Sequence, residues 1–198
     1  MANQVNDIEI FVLAGGQSSR MGQDKGQMMV NGQALIQYLL STLERIPVSI
    51  SIVSNDPAYR QFGYPVYHDS IANQGPMGGL LTALENSQYP LILLLACDYP
   101  FLSAEWIQWL MDKRQRDQII VPVSRSILHP LCAIYPVEIL DKVRDMIQAN
   151  VLKMKTLIQS FPHCLVDIDS WVERDEFLMT NVNTPEELKQ CQTRWKVQ

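Results

Sequence analysis

Positive charge is scarce in this chain of 198 residues: 16 Lys and Arg stand against 21 Asp and Glu, a net charge of −5. A broad nucleic-acid or anionic-membrane surface wants a basic face, so neither is an expected partner. A local basic pocket stays open. Paired cysteines are missing too. Cys97, Cys132, Cys164 and Cys191 lie far apart with no C-x-x-C pair, which argues against a redox or zinc motif and for reduced core thiols. Long apolar runs are absent. The longest, Leu91 to Cys97, is too short to cross a bilayer. The start, MANQVNDIEI, has neither the basic end nor the apolar stretch of a secretory signal, so a cytoplasmic protein is expected.

What is present is a core. Hydrophobic residues make up 47% of the chain, and a chain of this length buries roughly 70% of its unfolded surface without a staple. A single domain over 1–198 is expected.

Strand and helix patterns alternate along it. Ile8 to Leu13 is a short buried-strand run, and Ala34 to Arg45 places Leu35, Ile36, Leu39, Leu40 and Leu43 on one helical face. Strands are expected at Val48–Val53, Pro65–His68, Leu91–Ala96, Ile119–Val123, Leu131–Tyr135 and Cys164–Ile168. Helices are expected at Met77–Asn86, Ser103–Arg116, Pro136–Gln148 and Leu152–Gln159, with a short one capped by Asp56-Pro57. TPEEL starts a last helix, with Thr184 and Glu187 as a capping box. The alternation implies an α/β domain of three layers, α/β/α, with a Rossmann-like, mostly parallel sheet. SRSILH (Ser124 to His129) joins two antiparallel strands, a local departure from that pattern. Ligands in such sheets bind beyond the carboxyl ends of the strands.

The unusual residues fall at those ends. After Leu13 the chain reads AGGQSSRMGQDKG, Ala14 to Gly26. Gly15 and Gly16 let a phosphate or a base approach backbone N–H groups. Arg20 supplies a planar fork of donors and Lys25 a point charge, so the loop reads as a polyphosphate cradle. It fits neither G-x-x-x-x-G-K-[ST] nor G-x-G-x-x-G. From spacing alone, a surface turn with solvated charges remains the alternative. Asp98 closes the apolar strand in ACDYP and is the best candidate in the chain for a magnesium ligand; an N-cap or turn Asp before Pro100 is the alternative.

LAGGQSSRMGQDKG resembles the signature of Rossmann-like nucleotidyltransferases, most closely their molybdenum cofactor guanylyltransferase branch. The likeness continues in HDS, GPMGGLLTAL, LLACDYPFL, HPLCAIYP and NVNTPEEL, in the family's order and over nearly the whole chain. The resemblance implies transfer of GMP from GTP to the terminal phosphate of molybdopterin, with pyrophosphate leaving and Mg²⁺ as cofactor. It implies a nucleotide-binding N-terminal half and a mainly acceptor-binding C-terminal half. Brief contacts with proteins that deliver molybdopterin or mature molybdoenzymes would follow.

Carried onto this sequence, the resemblance makes Arg20, Lys25 and Asp98 catalytic, with Mg²⁺ on Asp98. It places the nucleotide on Leu13, Ala14, Gly15, Gly16, Lys25, Asn55, Asp69, Gly78, Gly79 and Asp98. His129, Asn181 and Asn183 are acceptor-site candidates; a hairpin histidine and a turn before Thr184 are the plainer readings. An Asx-turn is the plainer reading of Asp69. Cytidylyl transfer to the same pterin, nucleotidyl transfer to another small phosphate, and a non-catalytic nucleotide-binding module are the alternatives. LAGG rather than LAAG favours the guanylyl branch, and intact Arg20, Lys25 and Asp98 favour an enzyme.

Overall fold

The computed structural model describes residues 7–15, 24–71, 73–182 and 187. Gly16, Arg20, Asn183 and Thr184, and so most of the basic loop and the proposed final cap, lie outside the described residues.

In chain order the elements are β1 (Ile8–Leu13), β2 (Met29–Val30), β3 (Gln33–Ala34), α1 (Leu35–Leu43), β4 (Ser49–Val53), β5 (Val66–Tyr67) and α2 (Gly75–Asn86). There follow β6 (Leu91–Ala96), α3 (Ala104–Met111), β7 (Ile119–Ser124), β8 (Ile127–Leu128), β9 (Cys132–Pro136), α4 (Leu140–Gln148), α5 (Met154–Gln159), β10 (His163–Asp167) and α6 (Asp169–Arg174). No helix among the described residues is long and apolar enough to cross a membrane.

The main sheet runs β10-β7-β9-β6-β1-β4-β5, with β8 beside β7. β1 pairs in parallel with β4 and β6, β4 with β5, and β7 with β10. β9 runs against both β6 and β7. The antiparallel pairing expected across Ser124–His129 is that of β7 with β9. Inside the connection β8, which was not expected, forms a hairpin with β7 whose tip residues Arg125 and Ser126 both have positive φ, 47° and 65°. Two left-handed residues match the twist of a two-residue hairpin turn.

β6 carries an unbroken apolar run, and β1 one interrupted only by the buried Glu9, which accepts from Ser51 Oγ at 2.7 Å, because both faces of the sheet are covered. On one face Ile8, Ile10 and Val12 pack with Ile36, Leu39 and Leu43 of α1, Trp106 and Leu110 of α3, and Val172 of α6. On the other, Phe11, Ile92 and Leu94 meet Met77, Leu80 and Leu84 of α2 and Val143 and Ile147 of α4. The three-layer α/β/α architecture follows from that two-sided burial.

One expectation is corrected. The helix expected over Ser103–Arg116 stops at Met111, and the chain turns through Arg114, whose guanidinium reaches back to Asp7 at 2.8 Å. α6 and the β2–β3 hairpin were not expected. α6 is six residues long, too short to show a helical period. Its Trp171 packs on Trp109 of α3, ring centroids 5.5 Å apart.

β1 is the central fact for function. From it the chain moves outward through β4 and β5, then crosses to β6 on its other side. The carboxyl ends of β1 and β6 therefore flank the point where strand order reverses, which is where an open α/β sheet leaves a crevice.

Candidate active site

Four parallel strands deliver their carboxyl ends to that crevice. β1 ends in Ala14 and Gly15, β4 in Ser54 and Asn55, β5 in His68 and Asp69, and β6 in Cys97 and Asp98. Backbone bonds knit these ends together. Ala14 N donates to Val53 O at 2.9 Å, Cys97 N to Leu13 O at 3.0 Å, and Ser54 N to Tyr67 O at 2.9 Å. Gly15 needs to be glycine: its φ is +92°, and a Cβ there would lie 3.0 Å from Ser54 Oγ.

Asp98 stands at the base. Burial pushes its carboxyl above the ordinary range, the Lys25 charge and its own backbone N–H act the other way, and Glu187 adds to the rise. Its Oδ1 is buried with no hydrogen-bond partner. A buried acceptor without a donor costs about 1–3 kcal/mol, so such an oxygen calls for a ligand. Asn181 repeats the pattern. Its side chain hydrogen-bonds Tyr99, while its Oδ1 is buried without a partner. Val182 is fully buried beside Val30 and Leu35, and its N–H donates to Asp98 O at 2.9 Å, which fastens Asn181 next to Asp98 in the fold.

Two hard oxygens without donors suit Mg²⁺, which takes one or two protein oxygens and fills its other positions with phosphate and water. Among the described residues no three His, Cys, Asp or Glu side chains group into a metal cage. A cation here would depend on substrate oxygens to complete its shell.

The described end of the basic loop is firmly held. Lys25, Gly26 and Gln27 make one tight turn, with Asp24 as its cap. Asp24 Oδ1 accepts from Gly26 N at 3.0 Å and from the Tyr59 hydroxyl at 2.7 Å. Gln27 Nε2 donates to Asp56 Oδ2 at 2.5 Å. Lys25 is thereby presented near Asp98, close enough for its charge to favour the ionised carboxylate.

Asn55 and Asp69 meet at the ends of β4 and β5 through paired hydrogen bonds. α2 begins just beyond, at Gly75, with Pro76 in its first turn. Gly78 and Gly79 do not line open space. Both are buried, and a Cβ on Gly79 would lie 2.8 Å from Leu13 Cδ2, so Gly79 lets α2 approach β1.

His129 is 7% exposed, and its Nε2 pairs with Ser124 Oγ at 2.7 Å within the β7–β9 connection. Burial lowers its pKa, which favours the neutral ring. The structure displays the hydrogen-bonded histidine of this connection. Sequence reasoning passed over Asp24 and Tyr59, which shape the Lys25 turn. Asp24 lies inside the recognised motif, but nothing in the pattern marks Tyr59.

Residues 10–164 match the model of the MobA-like NTP transferase domain. The chain is 34% identical to a Flavobacterium johnsoniae protein named "Probable molybdenum cofactor guanylyltransferase", over 90% of this chain and 93% of that one. It is 29% identical to a Haemophilus influenzae molybdenum cofactor guanylyltransferase, over 92% and 96%. Among solved structures, the molybdopterin-guanine dinucleotide biosynthesis protein A of Archaeoglobus fulgidus superposes with a TM-score of 0.80 at 21% identity, covering 96% of this chain and all of that one. That last likeness concerns the fold alone.

Proposed function

Because this chain belongs to the MobA-like NTP transferase family, we propose that it transfers GMP from GTP to the terminal phosphate of molybdopterin. Relatives named as molybdenum cofactor guanylyltransferases over nine-tenths of the chain support this reading. The observation that carries it is the pair at the switch point: a buried Asp98 oxygen without a donor, beside the positive charge of Lys25.

The reaction joins two polyanions. A phosphate oxygen of molybdopterin attacks the α-phosphorus of GTP, the bond from that phosphorus to the bridging oxygen breaks, and pyrophosphate leaves with the electron pair. The nucleophile is already anionic near neutral pH, so no side chain has to remove a proton. What the protein must supply is alignment and neutralisation of charge.

Asp98 and Asn181 would hold Mg²⁺ through their Oδ1 atoms. Held there, Mg²⁺ would supply positive charge against the negative charge of the reacting phosphates. Lys25 steadies the α-phosphate region, and Arg20 is assigned to the departing pyrophosphate. Gly15 keeps the first turn free of side chain, so a purine lies against the backbone. Asn55 and Asp69 take the base or ribose. The basic loop thus offsets the repulsion between substrates that an acidic chain would otherwise worsen.

Calorimetric titration of GTP, CTP, ATP and UTP with Mg²⁺ present tests the nucleotide assignment. GTP binding tightest supports the proposal; equal binding of all four contradicts it.

A further inference from the structure

The Lys25 turn is braced from beneath by a residue given no contact with either substrate. Tyr59 lies in the short helical turn Pro57–Phe62 that follows β4, and it is fully buried. Its ring packs in the core against Phe62, centroids 5.9 Å apart. Its hydroxyl is aimed at the basic loop, where it donates to Asp24 Oδ1 at 2.7 Å. The same oxygen accepts from Gly26 N at 3.0 Å. One carboxylate oxygen therefore joins the residue before Lys25 to the residue after it, and both to the core.

The fit around that hydroxyl leaves no slack. A Cβ on Gly26 would overlap it and would come within 3.2 Å of Cys97 Sγ, the residue beside Asp98. A second tie runs parallel, from Gln27 Nε2 to Asp56 Oδ2, and Asp56 caps the very turn that carries Tyr59 through Ala58 N at 2.8 Å. Burial, then Cys97 and the Asp24 carboxylate, push the Tyr59 phenol upward, so it keeps its proton and remains a donor.

We propose that Tyr59, acting through Asp24, is a positioning residue for Lys25: it fixes the ammonium group over the reacting phosphate instead of merely filling the core. This rests on the phosphate role given to Lys25 above. A long, flexible side chain reaches a transition state only as accurately as its backbone is held, and a misplacement of about 1 Å costs roughly a hundredfold in rate. A hydrogen bond from a rigid, buried aromatic supplies that accuracy where water-exposed contacts would not.

The test measures kcat and KM for GTP, with molybdopterin as acceptor and Mg²⁺ saturating, alongside thermal melting. Tyr59→Phe keeps the ring and deletes only the donor. It is expected to lower kcat by about ten- to a hundredfold while KM for GTP changes little. Asp24→Ala should do the same, and Asp24→Asn, which keeps an acceptor oxygen, should retain most of the wild-type rate. The double variant Tyr59→Phe/Asp24→Ala should be no slower than Asp24→Ala alone. If Tyr59→Phe does not fold, the contrast between Asp24→Ala and Asp24→Asn carries the test. Wild-type kcat in folded Tyr59→Phe, losses that multiply in the double variant, or Asp24→Asn as slow as Asp24→Ala would each overturn the proposal. Lys25→Ala separates the two levels. Normal kcat in Lys25→Ala removes the phosphate role beneath, whereas a slow Lys25→Ala with a normal Tyr59→Phe removes the brace alone.

Discussion

Asn55 and Asp69 hold each other by two hydrogen bonds: Asn55 Nδ2 donates to Asp69 Oδ2 at 2.9 Å, and Asp69 N donates to Asn55 Oδ1 at 2.9 Å. The bonds lock the ends of two neighbouring strands and orient one carboxylate. Burial holds the Asp69 carboxyl above its ordinary range, while Asn55 and His68 pull it down. In its proposed role Asp69 accepts from a base or ribose donor, and the ionised carboxylate is the stronger acceptor. Removing Asn55 removes a bond that favours the ionised form, so the Asp69 pKa climbs further. In Asn55→Ala, KM for GTP should therefore start to rise at a higher pH during acidification than in wild type. A profile that moves to lower pH, or does not move, contradicts a nucleotide contact through Asp69.

Asp98→Asn should lose turnover by several kcal/mol of transition-state stabilisation, on the order of a thousandfold. The fold should not suffer. With a folded pKa above its unfolded value, the Asp98 carboxyl favours folding at low pH, and that contribution is lost as pH rises through the folded pKa. Above that pKa the ionised, buried carboxylate is a cost that asparagine lacks. Thermal melting without Mg²⁺ should then find Asp98→Asn at least as stable as wild type. A markedly lower melting temperature would make Asp98 a structural residue.

Lys25→Ala should lower kcat by roughly a hundredfold, as loss of one well-placed charge-stabilising donor does elsewhere, and change KM for GTP less. It also removes the charge that draws the Asp98 pKa down. The acidic limb of the pH–rate profile should shift upward. An effect on KM alone would leave Lys25 as a binding residue.

Gly79→Ala tests packing against ligand contact. Its new Cβ would press on Leu13 Cδ2 and Cδ1, at 2.8 and 3.2 Å. Forcing a methyl into a filled core costs about 1–3 kcal/mol. Denaturant melts should show that loss, and Gly79→Ala/Leu13→Ala should lose less than the two single losses summed, because the residues touch. Unchanged stability in Gly79→Ala contradicts the packing role.

Much of this was legible in the residues. Leu91–Ala96 read as a central strand because six apolar residues in a row fit only a sheet covered on both faces, and all six are buried. Asp98 was placed by being the carboxylate at the end of that strand. The Asp56-Pro57 cap also read correctly, with Asp56 Oδ1 bound to Ala58 N. Other features depend on contacts between distant segments. The family resemblance made Gly79 a ligand glycine, yet its Cβ position faces Leu13, because a local motif cannot distinguish a glycine that admits a phosphate from one that admits a leucine. Tyr59 drew no reading from the sequence, since only folding brings its hydroxyl to Asp24, 35 residues earlier. α6 was missed because one and a half turns leave no period to detect.

The central claim is guanylyl transfer onto molybdopterin, and the direct measurement is turnover with α-labelled GTP and CTP side by side, with molybdopterin as acceptor and Mg²⁺ present. Guanine offers N1 and N2 donors and an O6 acceptor, and cytosine a different order on a smaller ring. A buried polar group left unpaired costs about 1–3 kcal/mol, so two mismatches give roughly a hundredfold preference. The account predicts label in the pterin dinucleotide from GTP at that advantage, with pyrophosphate released in equal amount. Equal transfer from CTP would contradict the guanylyl assignment, and no transfer from either would contradict the enzyme.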